Sequence, residues 1–166
     1  EALRMATRGG AAVVGRDEAA RNLKQLLEEA DVGCDALLSQ AARPTTIKTR
    51  IIAHQQQLVR VDRETCTDLE GRLRGRLLNA LEQELGRTDA VILGDYGKGV
   101  ITQPLLDAVK ALCHGRGIWV SLDPKPVHRL NLTGLSLITP NRKEAFELAG
   151  LPDGTRGPDP IEDGNL

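Results

Sequence analysis

The pattern of apolar and polar positions changes its period along the first half of the chain. Residues 17–30 place their apolar side chains on one helical face, and 68–87 repeat leucine at every fourth position, so both predict amphipathic helices. Between them, TTIKTRIIA (45–53) and QQLVRVDRE (56–64) alternate polar with apolar residues and are rich in β-branched side chains. This alternation predicts two strands of a hairpin, with the charged residues on one face and the apolar residues on the other.

From residue 89 onward, predicted strands and helices alternate. They are, in chain order, a buried strand at 89–94, a helix at 102–117, a strand at 118–123, a strand at 135–139 and a helix at 142–150. Strand–helix units of this size predict an α/β fold, in which a parallel sheet is covered by helices. The Pro-, Gly- and Asp-rich segment 151–166 has no periodicity and predicts an irregular tail after a domain at 1–150.

Composition narrows the class of function. The 166 residues carry 22 Lys and Arg against 23 Asp and Glu, and this balance argues against a nucleic-acid surface, which needs a basic face. The three aromatic residues, Tyr96, Trp119 and Phe146, are too few for a base-stacking platform. Three widely spaced cysteines predict unpaired thiols in a reducing compartment. With no long apolar run and no signal-peptide pattern, we expect a cytoplasmic protein without a membrane partner.

Each predicted parallel strand of the second half ends in a polar motif. The motifs are GDYGKG (94–99), DPKP (123–126) and TPNRKE (139–144). Ligands of open parallel sheets bind at the carboxyl ends of the strands, so these motifs are expected at one edge. They mix a carboxylate with cations, as a phosphate and magnesium site would: Asp95, Lys98, Lys125, Arg142 and Lys143. The glycines of the first motif would allow close approach of the backbone to a ligand.

Asn141 and Glu144 have two interpretations. An Asn followed three residues later by Glu, before an apolar helix, is typical of a capping box. The same two side chains, at the positive end of a helix, could also organise a hydrated magnesium ion and its phosphates. The residues alone leave both open.

Several segments resemble one family of enzymes. GDYGKGV, LDPKP and ITPNRKEAFELAG are similar to consecutive segments of the ribokinase-type (PfkB-like) carbohydrate kinases. The string IKTRIIAHQQQLVRVDRE resembles, more narrowly, the heptose 7-phosphate kinases, the kinase part of bacterial ADP-heptose synthase. GGAA at 9–12 and VGRDEAARNL at 14–23 resemble earlier segments of that family. The resemblance implies a ribokinase-like fold, incomplete here, in which 45–64 is a β-hairpin lid.

The resemblance also implies an activity and its residues. ATP, with Mg²⁺, would phosphorylate the anomeric hydroxyl of D-glycero-D-manno-heptose 7-phosphate for lipopolysaccharide core synthesis, and a homodimer is left open. The residues implied to bind the sugar phosphate are Gly9, Gly10, Lys48, Arg50, Arg60, Asp62, Asp95 and Lys98. Those implied to bind the nucleotide are Lys125, Asn141, Arg142, Lys143 and Glu144, with Asn141 and Glu144 reaching the metal through water.

The sequence departs from the family in three places. The G-A-G-D turn, which supplies the general base and the anion hole, is not in these 166 residues, and Ala12 meets Val13 where the family has an Asn, a helix and a strand. The opening strand with its substrate-binding acid is also missing. We therefore expect either parts of a longer protein or a degenerate gene product. Two alternatives to the heptose phosphate kinase stay open: a noncatalytic binding or regulatory module, and a ribokinase-type kinase for another sugar phosphate.

Overall fold

The computed structural model describes residues 11–152, and the chain divides into two compact units, with the boundary in the sequence between Gly86 and Arg87. Gly9, Gly10 and residues 153–166, most of the predicted tail, lie outside the described residues. The prediction of a single domain over 1–150 stays a prediction, and the two units are described separately below.

The first unit contains two helices, two short parallel strands and a hairpin. Its elements are β1 (Ala12–Val14), α1 (Glu18–Glu29), β2 (Leu37–Ser39), β3 (Ile47–Ala53), β4 (Gln56–Arg63) and α2 (Gly71–Glu84), with a short 3-10 helix at Leu85–Arg87. β1 and β2 pair in parallel, and the sequence did not predict them. The regularly spaced leucines of the α2 segment are buried as expected, at Leu69, Leu73, Leu77 and Leu85.

The predicted hairpin is confirmed, and the structure gives its register. β3 and β4 pair antiparallel, with Lys48 opposite Asp62 and Arg50 opposite Arg60. Directly opposed residues share a face of the ladder, so the four charged side chains are on one face. The other face carries the apolar residues, and two of them, Ile51 and Val61, are 47% and 55% exposed. The hairpin therefore has one charged and one exposed apolar face.

The second unit is a parallel sheet with helices in its connections. Its elements are β5 (Ala90–Gly94), α3 (Gln103–His114), β6 (Trp119–Asp123), a 3-10 helix (Pro126–His128), β7 (Leu137–Ile138) and α4 (Arg142–Ala149). The strands form one sheet in the order β5-β6-β7, with both pairs parallel. β7 is shorter than the predicted strand, although the Thr139 N–H still donates to the Leu122 carbonyl at 3.1 Å.

The two faces of this sheet differ in burial. Val120 and Leu122 of β6 are fully buried on one face, the helices α3 and α4 contribute the buried Leu106 and Phe146, and α3 contacts β6. On the opposite face Ile92, Trp119 and Leu137 are 73%, 63% and 52% exposed. The expectation that the 89–94 strand is buried was therefore wrong for Ile92. Within the described residues only one face of the strand meets a helix layer, and alternate side chains point to opposite faces.

Candidate functional site

The three polar motifs of the second unit lie at the carboxyl ends of its three parallel strands. Asp95 follows β5, Asp123 is the last residue of β6, and Asn141 comes shortly after β7. The Asp95 N–H donates to the Asp123 carbonyl at 3.0 Å, so the first two motifs are in direct contact. The predicted arrangement, parallel strands of one sheet that carry these motifs at one edge, is confirmed.

Asp95 is a buried carboxylate with one oxygen left without a protein donor. Asp95 is 3% exposed, and its Oδ1 accepts a hydrogen bond from the Gly97 N–H at 2.8 Å. Gly97 and Gly99, in the loop that follows Asp95, have φ of 65° and 71°, a region that glycine adopts without strain. Oδ2 is buried and accepts no hydrogen bond from the described residues. Burying such an oxygen without a partner costs free energy, so a ligand hydroxyl or a cation is the natural complement.

The start of α4 is a complete capping box. The Asn141 side chain accepts the Glu144 N–H at 3.0 Å, and Glu144 Oε2 accepts the Asn141 N–H at 2.9 Å. This uses one oxygen of each side chain and satisfies two of the helix's unpaired donors. The capping interpretation is thus correct, and it leaves the second oxygen of Glu144 for another role.

That second oxygen is held by a lysine from the neighbouring motif. Lys125 Nζ donates to Glu144 Oε1, across 19 positions of sequence. The Glu144 side chain is 8% exposed and that of Lys125 is 43% exposed. Burial raises the pKa of Glu144, but the hydrogen bonds from Lys125 and from the Asn141 backbone outweigh it, so the pKa lies below the ordinary value. Glu144 is a buried, ionised carboxylate at neutral pH.

Lys125 also interacts with the other two strand ends. Its pKa is raised, first by the hydrogen bond to Glu144 and further by the charges of Glu144, Asp123 and Asp95. We call these four residues, Asp95, Asp123, Lys125 and Glu144, the carboxylate–lysine cluster. Its three carboxylates outnumber its one ammonium group, and this excess of negative charge is suited to a hydrated divalent cation.

The remaining predicted residues of this unit lie beside the cluster in sequence. Lys98 is half-buried in the loop after β5. Arg142 and Lys143 are exposed in the first turn of α4, where Arg142 stacks over the Phe146 ring at 4.8 Å and Lys143 Nζ lies 3.8 Å from a Glu147 oxygen. No group of three or more His, Cys, Asp or Glu side chains within 11–152 is arranged to hold a metal ion directly.

The predicted hairpin residues form a separate set in the first unit. Lys48, Arg50 and Arg60 are exposed on the charged face, and Arg60 Nε forms an ion pair with Asp62 Oδ1 at 2.9 Å. The structure places these four residues together, as their alternation predicted. Their role toward a ligand stays a prediction.

Sequence reasoning placed Asp123 in the DPKP motif at a strand end without naming it among the site residues, and it missed Asp17, Arg43 and Thr45 in the first unit. Arg43 and Thr45 are 7% exposed each. The position of Asp123 at the end of a predicted strand was the signal that could have named it. Asp17 precedes α1, and Arg43 and Thr45 lie between β2 and β3, so no strand-end rule pointed to them.

Known proteins resemble this chain in sequence and in fold. The bifunctional protein HldE of Sulfurimonas denitrificans is 40% identical over 135 residues, which are 81% of this chain and 28% of that protein. The HldE of Gluconacetobacter diazotrophicus is 39% identical over 151 residues, 89% of this chain and 31% of that protein. The structure of Arabidopsis thaliana ribokinase complexed with ribose and ATP matches with a TM-score of 0.63 at 15% identity, covering 93% of this chain and 49% of that one.

These likenesses define the class of protein: an α/β protein with the ribokinase-like fold. Residues 10–163 match the pfkB family carbohydrate kinases, and the chain belongs to that family. It spans less than a third of the length of the two HldE proteins. Among the described helices, none combines the length and apolar character needed to cross a membrane.

Proposed function

We propose that this chain is the part of a sugar kinase that binds ATP and a heptose phosphate, and that the reaction is phosphorylation of the anomeric hydroxyl of D-glycero-D-manno-heptose 7-phosphate. One observation carries the proposal: the carboxylate–lysine cluster at the carboxyl edge of a parallel sheet, in which Asp95 Oδ2 receives no hydrogen bond from the described residues. The identity to HldE proteins and the hairpin string support the choice of sugar.

The nucleotide end of the site is assigned to the second unit. Arg142 and Lys143 are cations at the amino end of α4, where the helix backbone also favours a polyphosphate. Asn141 and Glu144, fixed by the capping box, would receive a hydrated Mg²⁺ through its waters. The magnesium ion, when bound, offsets the charge of the phosphates. Lys125 keeps Glu144 ionised and oriented for this role.

The transferred phosphoryl group is assigned to the loop after β5. In the reaction a bond forms between the sugar's anomeric oxygen and the γ-phosphorus, the bond to the bridging oxygen of ADP breaks, and the hydroxyl proton passes to a general base. Lys98 supplies a positive charge to this group. Asp95 accepts a hydrogen bond from the sugar through its unpartnered Oδ2. The charged face of the hairpin, with Lys48, Arg50, Arg60 and Asp62, is assigned to the sugar phosphate together with Gly9 and Gly10.

The 166 residues contain no G-A-G-D turn, so we propose that this chain alone lacks the general base of the transfer. A positioned base contributes roughly 10²- to 10⁴-fold, and a backbone donor of an anion hole about 10²- to 10³-fold. In the alternative function, a noncatalytic binding or regulatory module, the protein would bind its ligands without the rate acceleration that the base and the anion hole provide. Both versions predict nucleotide binding by the chain.

The test separates binding from turnover. The chain, given ATP, magnesium and heptose 7-phosphate, should release no ADP above background, while calorimetry should detect magnesium-dependent nucleotide binding. Glu144→Gln should weaken that binding about tenfold, through loss of the buried charge toward the hydrated metal. Glu147→Gln, an exposed carboxylate on the same helix, is the matched control. Turnover by the chain that is abolished by Asp95→Asn would contradict the proposal that the chain lacks a general base. Equal nucleotide binding by Glu144→Gln and Glu147→Gln would contradict the proposed nucleotide site.

The substrate is tested by protection against thermal unfolding. Heptose 7-phosphate should raise the unfolding temperature more than hexose 6-phosphates or ribose 5-phosphate do. If another sugar phosphate raises the unfolding temperature more than heptose 7-phosphate does, that sugar phosphate is the better candidate for the substrate. In this proposal the protein works in the cytoplasm, where the 1,7-bisphosphate product would enter ADP-heptose and lipopolysaccharide synthesis.

We also propose that the chain forms a homodimer through the apolar face of the hairpin. Its support is the apolar face of the hairpin, where Ile51, Val59 and Val61 are 47%, 46% and 55% exposed. Large apolar side chains that are adjacent and exposed are typical of an interaction surface. Sedimentation should give a dimer for the chain and a monomer for Val61→Lys. A monomeric parent chain would contradict this assignment.

A further inference from the structure

The first unit contains an open cavity that the proposed kinase function does not use. It has a volume of about 310 Å³ and is lined by Arg16, Asp17, Ala41, Ala42, Arg43, Pro44 and Arg63. The three arginines come from three places in the chain: Arg16 just before α1, Arg43 between β2 and β3, and Arg63 at the end of β4. The fold thus brings three guanidinium groups to one cavity at the base of the hairpin.

Arg43 is a fixed part of the cavity wall. It is 7% exposed, its Nε donates to Gln40 Oε1 at 3.3 Å, and its Nη2 donates to the Thr67 carbonyl. Burial lowers the pKa of this guanidinium, yet arginine remains charged at any physiological pH. Its hydrogen bonds and the charge of Asp68 offset part of the cost of burying this cation.

The single carboxylate of the cavity is already occupied. Asp17 Oδ1 accepts the Ala20 N–H at 3.1 Å and the Thr45 hydroxyl at 2.6 Å, while Oδ2 accepts the Thr45 N–H at 3.0 Å. Arg63 Nη2 lies 3.8 Å from Oδ2. The Thr45 hydroxyl bond is the largest cause of the lowered pKa of Asp17, so this group is ionised at neutral pH. One carboxylate lines the cavity, and the charge of Asp68 also acts on Arg43, so two carboxylates stand against three guanidinium groups and the cavity remains cationic.

We propose that this cavity binds a phosphoryl group of a small molecule. Guanidinium groups present paired N–H donors in a fork that matches the oxygens of phosphate, and converging arginines are typical of such sites. Arg16 and Arg63 are exposed at the cavity and would close on the anion from the start of α1 and the end of β4. A bound phosphoryl group would therefore connect the end of the hairpin to the loop that precedes α1.

The first experiment uses inorganic phosphate alone, so it does not depend on the kinase proposal. Calorimetry at constant ionic strength should detect one phosphate per chain. Arg16→Gln and Arg63→Gln should each weaken binding about tenfold, as expected for loss of a charge-assisted hydrogen bond. Both side chains are exposed, so both variants should fold. Arg72→Gln, an exposed arginine of α2 in the same unit, is the matched control and should bind as the parent chain does.

Two results would overturn the site: no saturable phosphate binding, or the same loss of affinity in Arg72→Gln as in the two cavity variants. The second experiment identifies the source of the phosphoryl group. If a sugar phosphate displaces inorganic phosphate and loses affinity in Arg63→Gln, the cavity receives the phosphate end of the sugar. If it binds without displacing inorganic phosphate, the cavity serves a separate phosphorylated ligand or free phosphate.

Discussion

Replacing Lys125 by methionine removes the ammonium group from the carboxylate–lysine cluster while keeping most of the side chain's length. Glu144 is then a buried carboxylate, 8% exposed at its side chain, with a hydrogen bond to only one of its oxygens. A hydrogen bond to a charged group contributes about 1.5–3 kcal/mol. Because the Lys125 side chain is 43% exposed, water can enter and replace part of this contribution. We expect a loss of roughly 1–2 kcal/mol in the free energy of unfolding at pH 7.

The pKa of Glu144 determines how the loss of stability in Lys125→Met should change with pH. The folded-state pKa of Glu144 lies below the ordinary 4.5, so its contribution is present above pH 4.5 and disappears as the pH falls through the folded value. Without Lys125 the pKa of Glu144 rises, and the variant's deficit should be largest at neutral pH and shrink as acid protonates the carboxylate. Lys125, whose pKa is raised above 10.5, stays charged throughout this range.

Urea unfolding at pH 7 and at several acidic pH values measures both quantities. Lys143→Met is the control, because Lys143 is 72% exposed and lies 3.8 Å from its Glu147 partner in an ordinary surface pair. It should change stability by less than about 0.5 kcal/mol. A Lys125→Met variant that behaves like this control, or whose deficit grows as the pH falls, would refute the assignment of Lys125 as the partner of Glu144.

Three further predictions follow from local geometry. Asn141→Ala removes the side-chain acceptor for the Glu144 N–H and should cost about 1 kcal/mol in urea unfolding, with Asn141→Asp close to the parent. Gly97→Ala forces a side chain into φ of 65° and should cost about 1–2 kcal/mol; no loss would contradict the left-handed turn. Cys66 is exposed, whereas burial raises the pKa of the Cys113 thiol, so a thiol reagent should label Cys66 quickly and Cys113 only on unfolding.

The sequence predicted the elements that carry a clear period. The hairpin and its two faces were predicted, because charged and apolar residues alternate through β3 and β4, but the alternation does not choose between pairings that differ by two residues, so the register comes from the structure. β1 and β2 were missed, since three residues are too few to display any period. The exposure of Ile92 was also missed, because an apolar strand has the same sequence whether helices cover one face or both.

The candidate site was predicted in part. Parallel strands bring their carboxyl ends to one edge, and that rule placed Asp95, Asn141 and Glu144 together without coordinates. The pairing of Lys125 with Glu144 depends on side-chain direction across 19 positions, which no spacing rule gives. The cavity with Arg16, Arg43 and Arg63 joins three distant segments and depends on the tertiary fold.

Trp119, the single tryptophan of the chain, is 63% exposed on the face of the parallel sheet that no described helix covers. Its indole is therefore a built-in optical reporter of that face. Its fluorescence should resemble that of a hydrated indole and should be quenched readily by iodide. Whatever covers Trp119, whether another polypeptide segment or a binding partner, should shift its emission to shorter wavelength and shield it from iodide. Coverage of the sheet can thus be followed in solution without attaching a label.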